Sequence, residues 1–138
     1  MIALAKTKPI TTQEVLRTAV LSLQQAKIES ASLDARILLQ HVLRLSREQL
    51  LLAMEESLSN DQHAMFNELI AKRTSRQPVA QIIGKREFWG MEFKVTGDTL
   101  DPRPDSESVI EAVLEHCRDR LKPYKILDLG TGTGCLLL

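Results

Sequence analysis

The chain has 138 residues, of which 43% are hydrophobic and 26% are charged, proportions typical of a soluble globular protein with one domain, or with one small domain and part of another. Its 18 lysines and arginines balance 18 aspartates and glutamates, so net charge favours neither nucleic acid nor a membrane surface as partner. Two cysteines are too few for a disulfide framework, and we find neither a signal peptide nor an apolar run long enough to span a bilayer. We therefore expect a cytoplasmic protein with no membrane association.

Two amphipathic helices are predicted first. The capping box Thr11-Thr12-Gln13-Glu14 starts one helix, and apolar residues at helical spacing extend it to about Lys27. A second helix begins near Ser32. The side chains expected to be buried are Val15, Leu16, Ala19, Val20 and Leu23 in the first helix, and Ala35, Leu38, Leu39, Val42 and Leu45 in the second.

Two further capping boxes follow, Ser46-Arg47-Glu48-Gln49 and Ser59-Asn60-Asp61-Gln62. They predict a short helix over residues 47–54 and a longer one over 60–75. Four amphipathic helices joined by short links can bury a common core, so we expect a small helical bundle over residues 11–75. The longer helix should present Phe66, Leu69 and Ile70 on its apolar side.

The pattern changes to that of strands after Pro78. Residues 79–84 resemble a strand that ends in a turn, and the stretches 88–89 and 91–95 have the alternation and residue types of strands. We expect residues 79–96 to form a small antiparallel connector. Two interpretations stay open for its aromatic residues, a minicore under the connector or part of a wall that faces the substrate; these residues are Phe88, Trp89 and Phe93.

A further helix is predicted after the segment Pro102-Arg103-Pro104, whose prolines exclude helix and favour an extended chain. Asp105 or Ser106 can cap this helix, which should run to roughly residue 120. Its predicted buried stripe consists of Val109, Ile110, Val113, Leu114 and Cys117.

The last stretch combines a short apolar strand at residues 126–129, three alternating glycines and the start of a buried helix at Cys135. Strand, glycine turn and helix open a nucleotide-binding α/β unit, because glycine lets a ligand approach the backbone and permits positive φ. A dinucleotide fingerprint starting at Gly130 needs glycine or alanine at position 135, and a P-loop needs a lysine that is absent. The spacing therefore indicates a different ligand.

Four segments resemble a known family. The pattern Asp128-x-Gly130-x-Gly132-x-Gly134 resembles motif I of class I S-adenosylmethionine-dependent methyltransferases. The stretch 78–89 closely resembles the connector of the bacterial release-factor glutamine methyltransferases, and 103–107 resembles the R-P-D/E-T-E segment before their catalytic domain. The stretch 34–39 is similar to part of their helical domain. Together, in the right order, these segments are far more specific than the glycines alone.

The resemblance implies an α+β protein in three parts. Residues 1–75 would be an all-α helical bundle that helps engage the protein substrate, 76–104 an antiparallel β-hairpin connector, and 105–138 the truncated start of a class I, Rossmann-like α/β methyltransferase domain. It further implies methyl transfer from S-adenosylmethionine to the side-chain amide of the glutamine in the Gly-Gly-Gln motif of peptide-chain release factors. The residues that would hold the cofactor are Asp128, Gly130, Thr131, Gly132, Thr133 and Gly134.

The family also uses parts that this sequence lacks. An Asn-Pro-Pro-Tyr motif holds the substrate amide in the family and an acidic residue ending the second strand binds the cofactor ribose, but neither is found here. We therefore assign no catalytic residue and no metal ligand, and we expect a truncated chain that is inactive by itself. Residues 125–138 should then be poorly packed, disordered or paired with another copy through a strand edge. Asp101, where many members of the family have an aliphatic residue, departs from the pattern and puts only local packing in doubt.

Other functions stay open beside the methyltransferase. One is a stand-alone helical module that binds a release factor, or another translation partner, without chemistry. A dinucleotide-dependent oxidoreductase is disfavoured by Cys135.

Several polar residues have both a structural and a functional interpretation. Asp105 and Glu107 are best explained as helix caps, and Cys117 as core. A group of basic residues near the junction of bundle and connector is either a solvated face or a contact with an acidic partner surface or RNA, although we expect no direct nucleic-acid binding. This basic group consists of Lys72, Arg73, Arg76, Lys85 and Arg86.

Overall fold

The computed structural model describes residues 10–101, 103–119 and 121–137. The chain divides into two compact units, Met1–Ile82 and Ile83–Leu138. Helices and a two-stranded antiparallel sheet make it an α+β protein, which confirms the predicted α+β class but not the predicted Rossmann-like start. The elements in chain order are α1 (Thr12–Gln25), α2 (Ala31–Leu43), α3 (Arg47–Leu52), α4 (Asn60–Thr74), α5 (Val79–Ile83), β1 (Lys85–Phe88), β2 (Met91–Lys94), a 3-10 turn (Pro104–Ser106) and α6 (Glu107–His116).

All three predicted capping boxes are formed. The hydroxyl groups of Thr11, Ser46 and Ser59 each accept a hydrogen bond from the backbone N–H three residues later, and the side chain of that later residue accepts one from the backbone N–H of the cap. Each box satisfies two donors that a helix start otherwise leaves unpaired. Local sequence therefore fixes where α1, α3 and α4 begin.

The first unit is a helical bundle in which α1, α2 and α4 pack against one another. Most side chains of the predicted stripes are buried, and Leu23, Leu38, Leu39 and Phe66 are fully enclosed. The outer members of the predicted stripes, Val20, Val42 and Leu45, are half-buried.

An isolated β-bridge closes the bundle at the start of α1. It joins Thr11 to Ser57, and the N–H and the hydroxyl of the buried Thr12 both donate to the Glu56 carbonyl at 2.8 Å. Thr12 thus carries its polar atoms into the core with their hydrogen bonds made, which avoids the cost of burying them unpaired.

The prediction of a strand at residues 79–84 is wrong, because Val79–Ile83 forms helix α5. The Ile82 N–H donates to the Pro78 carbonyl at 3.0 Å, and Gly84 follows the helix with φ of 78°. Short apolar runs do not distinguish strand from helix, and a glycine in this conformation is typical of a helix C-terminus. Gly84 therefore marks the end of a helix, whereas the sequence interpretation took it as the end of a strand.

The predicted connector contains an antiparallel hairpin in the second unit, but its first strand is Lys85–Phe88 and not the predicted 88–89. β1 and β2 pair antiparallel with Phe88 opposite Met91, which leaves Trp89 and Gly90 as a two-residue loop. Their φ angles of 51° and 73° are both positive, as a type I′ hairpin turn requires.

The region before and within α6 departs from prediction at both ends. Pro104 does not exclude helix but occupies the first position of a 3-10 turn, where its fixed φ is suitable. Neither Asp105 nor Ser106 makes a side-chain cap, so the predicted capping role is wrong; instead the Ser108 hydroxyl donates to the Asp105 carbonyl at 2.7 Å. Pro102 lies outside the described residues.

Most of the predicted stripe of α6 is not buried. The helix ends at His116, and only Ile110 is enclosed, while Val109, Val113 and Leu114 are exposed. Cys117, predicted as core, is half-buried. A helical stripe becomes core only where another element covers it, so periodicity alone overestimated burial here.

The strand and helix predicted around the glycines are also absent from the described residues. Residues 126–129 pair with no described segment, and residues 135–137 form turns instead of helix. A β-strand needs a hydrogen-bonded neighbour, and helix nucleation is unfavourable in a short segment. Leu138 lies outside the described residues.

Candidate functional site

The glycine turn, residues 130–137, consists of two successive tight turns. The Gly134 N–H donates to the Thr131 carbonyl at 2.7 Å, and the Leu137 N–H donates to the Gly134 carbonyl at 3.1 Å. Gly130, Gly132 and Gly134 have φ angles of 80°, 54° and 78°. Any other residue would be strained at these positions, so the glycines are required by backbone geometry.

The space above these glycines is open. A Cβ atom added at Gly130 or Gly134 would meet nothing within 4 Å, and at Gly132 it would meet only the Gly130 carbonyl, at 3.9 Å. The turn therefore offers bare backbone that a ligand can approach closely. The side chains of Thr131 and Thr133 belong to the same turn, exposed and half-buried respectively.

Asp128 has a carboxylate oxygen that is buried without a hydrogen-bond partner among the described residues. Buried polar atoms are nearly always paired, so an unpaired acceptor is a place where water or a ligand can supply the donor. Asp101, paired with Arg86 through its other oxygen, has a second such atom. A ligand that carries an amino group, as S-adenosylmethionine does, would supply this donor. The six predicted cofactor residues therefore lie within seven consecutive positions, 128–134, whose bare backbone and unpaired acceptor fit such a ligand.

The end of the glycine turn packs on a small core of the second unit. Cys135 is buried against Phe88 and Ile110, with Phe93 and Leu136 at the margin. The rings of Phe88 and Phe93 meet edge to face with centroids 6.3 Å apart, a favourable arrangement for aromatic pairs.

The predicted minicore is formed by two of the three connector aromatics. Phe88 and Phe93 belong to the predicted minicore, whereas Trp89 at the hairpin loop is 38% exposed.

An apolar groove lies beside α6. It is formed by one side of that helix and by residues 124–127, with Val109, Val113 and Ile126 among its lining side chains. Ile126, Leu127 and Leu129 are all exposed, so the poor packing expected at the end of the chain applies to them but not to Cys135.

A second groove lies within the bundle, between α2 and α3. Its apolar lining includes Leu33, Ile37 and Leu51, and two arginines, Arg36 and Arg47, border it. Within the described part of the chain, neither arginine lies within ion-pair distance of a carboxylate, although the charge of Arg47 contributes to lowering the pKa of the neighbouring Glu48. An exposed apolar surface with unpaired cations is typical of a protein-binding site, and sequence reasoning missed it because the two helices contribute it jointly.

The predicted basic group divides among separate partners. Arg73 forms a buried ion pair with Asp34, whose carboxylate lies 2.7 Å from the guanidinium and also accepts from the Ser30 hydroxyl. Arg76 donates to the Lys27 carbonyl at 3.4 Å. The other pairs are Lys72 with Glu68, Lys85 with Glu92, and Arg86 with Asp101. Four of the five residues thus form ion pairs, and within the described residues Arg76 is bound only to a backbone carbonyl.

Two carboxyl groups on the bundle have lowered pKa values. The pKa of Glu48 lies below its usual range because the carboxylate accepts hydrogen bonds from its own backbone N–H and from the Ser46 hydroxyl. The pKa of Glu68 is lowered by its hydrogen bond and charge interaction with Lys72. Both groups lie outside the two grooves and the glycine turn.

No metal-binding cluster of three or more histidine, cysteine, aspartate or glutamate residues is found in residues 10–101, 103–119 and 121–137. In the same part of the chain, no helix is long and apolar enough to cross a membrane.

Comparison with known proteins matches residues 14–84 to the PrmC N-terminal domain family, which is just over half of the chain. The release factor glutamine methyltransferase of Cereibacter sphaeroides is 46% identical over 124 residues, which are 89% of this chain and 42% of the relative. The protein of the same name from Rhodospirillum rubrum is 44% identical over 84% of this chain and 35% of the relative. The one from Nitratidesulfovibrio vulgaris is 38% identical over 96% of this chain and 44% of the relative. The chain thus spans less than half the length of these relatives.

Proposed function

The chain belongs to the PrmC N-terminal domain family, and on this premise we propose that it is the N-terminal part of a release-factor glutamine methyltransferase. The proposed reaction transfers a methyl group from S-adenosylmethionine to the side-chain amide nitrogen of the glutamine in the Gly-Gly-Gln motif of a peptide-chain release factor. The observation that carries the proposal is the glycine turn with the unpaired Asp128 carboxylate oxygen beside it. We also propose that the protein acts in the cytoplasm, where release factors work.

The chain's own contribution to this reaction is to hold the methyl donor. Asp128 would accept a hydrogen bond from the donor's amino group, and the backbone of Gly130, Gly132 and Gly134 would lie against its methionine part. When bound, S-adenosylmethionine supplies a methyl group on a good leaving group, because the sulfonium departs as a neutral thioether.

The substrate amide must be held in place because its nitrogen is a poor nucleophile, with the lone pair delocalised into the carbonyl. Positioning is therefore the main catalytic requirement. The chain carries no Asn-Pro-Pro-Tyr segment, so we assign no catalytic residue to it and propose that it is inactive by itself.

For the bundle we propose binding of the release factor through the groove between α2 and α3. The apolar side chains Leu33 and Leu51 would be covered by apolar residues of the partner, and Arg36 and Arg47 would pair with its carboxylates. Complementary charge at the rim of an interface speeds association and fixes its register.

Calorimetry with S-adenosylmethionine tests the donor site. We expect measurable affinity in a longer product of the same gene, one that includes an Asn-Pro-Pro-Tyr segment, and Asp128→Ala there should weaken binding about tenfold or more, since a charged hydrogen bond contributes about 1.5–3 kcal/mol. Asp119→Ala, an exposed carboxylate outside the turn, is the matched control. Binding of a nicotinamide dinucleotide in place of the methyl donor would overturn the proposal.

Binding of a purified release factor to this chain tests the groove. The charge reversals Arg36→Glu and Arg47→Glu should each raise the Kd about tenfold, which corresponds to about 1.4 kcal/mol. The control is Arg17→Glu, an exposed arginine on α1 that does not line the groove. Equal affinities for the three variants and the native chain would exclude this surface.

The same experiments separate the enzyme from the second candidate, a helical module without chemistry. The groove and its arginines support a binding role independently of the glycine turn. Release-factor binding by this chain, combined with no donor binding and no methyl transfer in the longer gene product, would favour the module.

A further inference from the structure

The hairpin loop is tied to α6 by one hydrogen bond. The Trp89 N–H donates to the Glu107 side-chain oxygen Oε1 at 3.1 Å, across 18 residues of sequence. Glu107 is the first residue of α6, where a carboxylate commonly caps its own helix or interacts with the helix dipole. Here it instead binds the backbone of another element.

This bond holds a residue in an unusual conformation. Trp89 has φ of 51°, and bulky residues rarely occupy this left-handed region because it costs about 1–3 kcal/mol. Such a conformation persists only when surrounding contacts impose it. The Glu107 carboxylate is one of these contacts, and the pairing of Phe88 with Met91 on either side of the loop is another.

The strained loop is adjacent to the residue that supports the glycine turn. Phe88 directly precedes Trp89, is 2% exposed, and packs on Cys135, which directly follows Gly134. Ile110, one turn after Glu107 on the same side of α6, completes this core. Helix α6 therefore holds the hairpin at two points, through a hydrogen bond at the loop and apolar packing at Phe88.

From these contacts we infer that Glu107 is a positioning residue for the glycine turn. By binding the Trp89 N–H it fixes the hairpin loop, the loop fixes the Phe88 ring, and the ring holds Cys135 and with it the conformation of Gly132 and Gly134. The inference rests on the proposed function only in that this turn receives the methyl donor. The coupling itself is a property of the chain without ligand.

Nuclear magnetic resonance of the isotopically labelled chain tests the coupling. Glu107→Ala should shift the amide signals of Gly132 and Gly134 and should raise hydrogen exchange at the Gly134 N–H, which is bonded to the Thr131 carbonyl, about tenfold. Glu107→Gln keeps an oxygen acceptor without the charge and should give a smaller change. Glu111→Ala removes an exposed carboxylate one turn further along α6 and should leave the glycine signals unchanged.

The pattern of exchange distinguishes positioning from a merely structural role. If Glu107 only stabilised the start of α6, Glu107→Ala would accelerate exchange in the first turn of that helix and leave the glycine amides unchanged, which would overturn the inference. Retained hydrogen-exchange protection of the paired amides in β1 and β2 serves as the internal check that the second unit of the variant is folded.

A double variant tests whether removing the strain at position 89 restores slow exchange at Gly134. Glycine adopts positive φ without strain, so Trp89→Gly should make the loop independent of the carboxylate, and Trp89→Gly/Glu107→Ala should restore the Gly134 exchange rate of the native chain. Failure of this rescue, with intact hairpin signals, would contradict the proposed route through Trp89. If the glycine signals respond as expected but the longer gene product does not bind S-adenosylmethionine, the coupling stands and the proposed function fails.

Discussion

The two units of the chain differ in how far their apolar side chains are buried. In the bundle, Leu23 and Leu38 are fully enclosed, whereas in the second unit Leu127 and Leu129 are more than 80% exposed. The sequences of both regions have apolar residues at the spacing expected of buried elements. The difference shows that the spacing of apolar residues indicates which side of a segment can be buried. Whether that side is buried depends on the presence of another element that packs against it.

The cause lies in the number of elements that meet. In the bundle α1, α2 and α4 all contact one another, so each helix covers the apolar side of the other two. The second unit contributes a two-stranded hairpin and α6, and a lone hairpin is at most marginally stable. Its small core at Phe88, Ile110 and Cys135 holds the end of the glycine turn but leaves most of α6 uncovered.

Hydrogen exchange should show the largest contrast. The core amides of α2 and α4 open only with much of the bundle, whereas no backbone hydrogen bond protects residues 126–129 within the described part of the chain. We expect protection to differ by several orders of magnitude. Slow hydrogen exchange at residues 126–129 in a monomer would contradict the proposed difference between the units. Slow exchange there only at high protein concentration would indicate pairing between two copies.

Truncation of one leucine in each unit gives the next largest difference. Leu38→Ala removes a fully buried side chain and should lower the free energy of unfolding by about 2–5 kcal/mol. Leu129→Ala removes a side chain that is 84% exposed and should change it by less than about 0.5 kcal/mol. Urea unfolding followed by circular dichroism measures both. Similar losses for the two variants would mean that Leu129 is covered in solution.

Ion pairs of the two units should differ as well. Arg73→Met leaves the Asp34 carboxylate buried without its charge partner and should cost about 2 kcal/mol, because an unpaired buried charge is unfavourable. Lys85→Met breaks the exposed pair with Glu92, which has the same separation of 2.7 Å, and should cost less than about 0.5 kcal/mol. A double-mutant cycle with Asp34→Asn would isolate the coupling. An additive result would refute the importance of the buried pair.

The features that could be predicted from sequence are those that depend on a few neighbouring residues. The capping boxes at Thr11, Ser46 and Ser59 combine a hydroxyl and a carboxylate or amide three residues apart, and all three formed. Local alternation also predicted the second strand of the hairpin, but the first strand was placed at residues 88–89 and lies at Lys85–Phe88. The helical segment before it was mistaken for a strand because its apolar run is only a few residues long.

The features that could not be predicted join distant residues. Arg73 pairs with Asp34 across 39 residues, and Glu107 binds Trp89 across 18. For both acids sequence reasoning had only the residue type and a place on a helix, which favour a cap or a solvated face. The donor-site assignment, by contrast, came from motif spacing and family resemblance, and it stays a prediction until donor binding is measured.

Left-handed backbone positions provide a smaller test of the same comparison. In the bundle Arg44 follows α2 with φ of 55°, whereas the second unit places Gly130 at φ of 80°. Arg44→Gly should raise the free energy of unfolding by about 0.5–1 kcal/mol by relieving this strain, and Gly130→Ala should lower it by a similar amount. Thermal unfolding of both variants measures whether each substitution raises or lowers the free energy of unfolding. A loss on Arg44→Gly would show that the arginine makes contacts in solution that outweigh the strain.

The smallest expected effect is the acid dependence of the bundle. The folded pKa of Glu48 lies below its ordinary value of 4.5, so the interaction with its own backbone N–H and the Ser46 hydroxyl stabilises the fold fully above about pH 4.5 and is lost as pH falls through the folded pKa. Glu68, with Lys72, should behave in the same way. Ser46→Ala should move the Glu48 pKa upward in a carboxyl titration followed by magnetic resonance, although only partly, because the backbone hydrogen bond is the larger cause and remains. If the Glu48 titration is unchanged in Ser46→Ala, the hydroxyl contributes only to the capping box, in which it accepts a hydrogen bond from the Gln49 N–H.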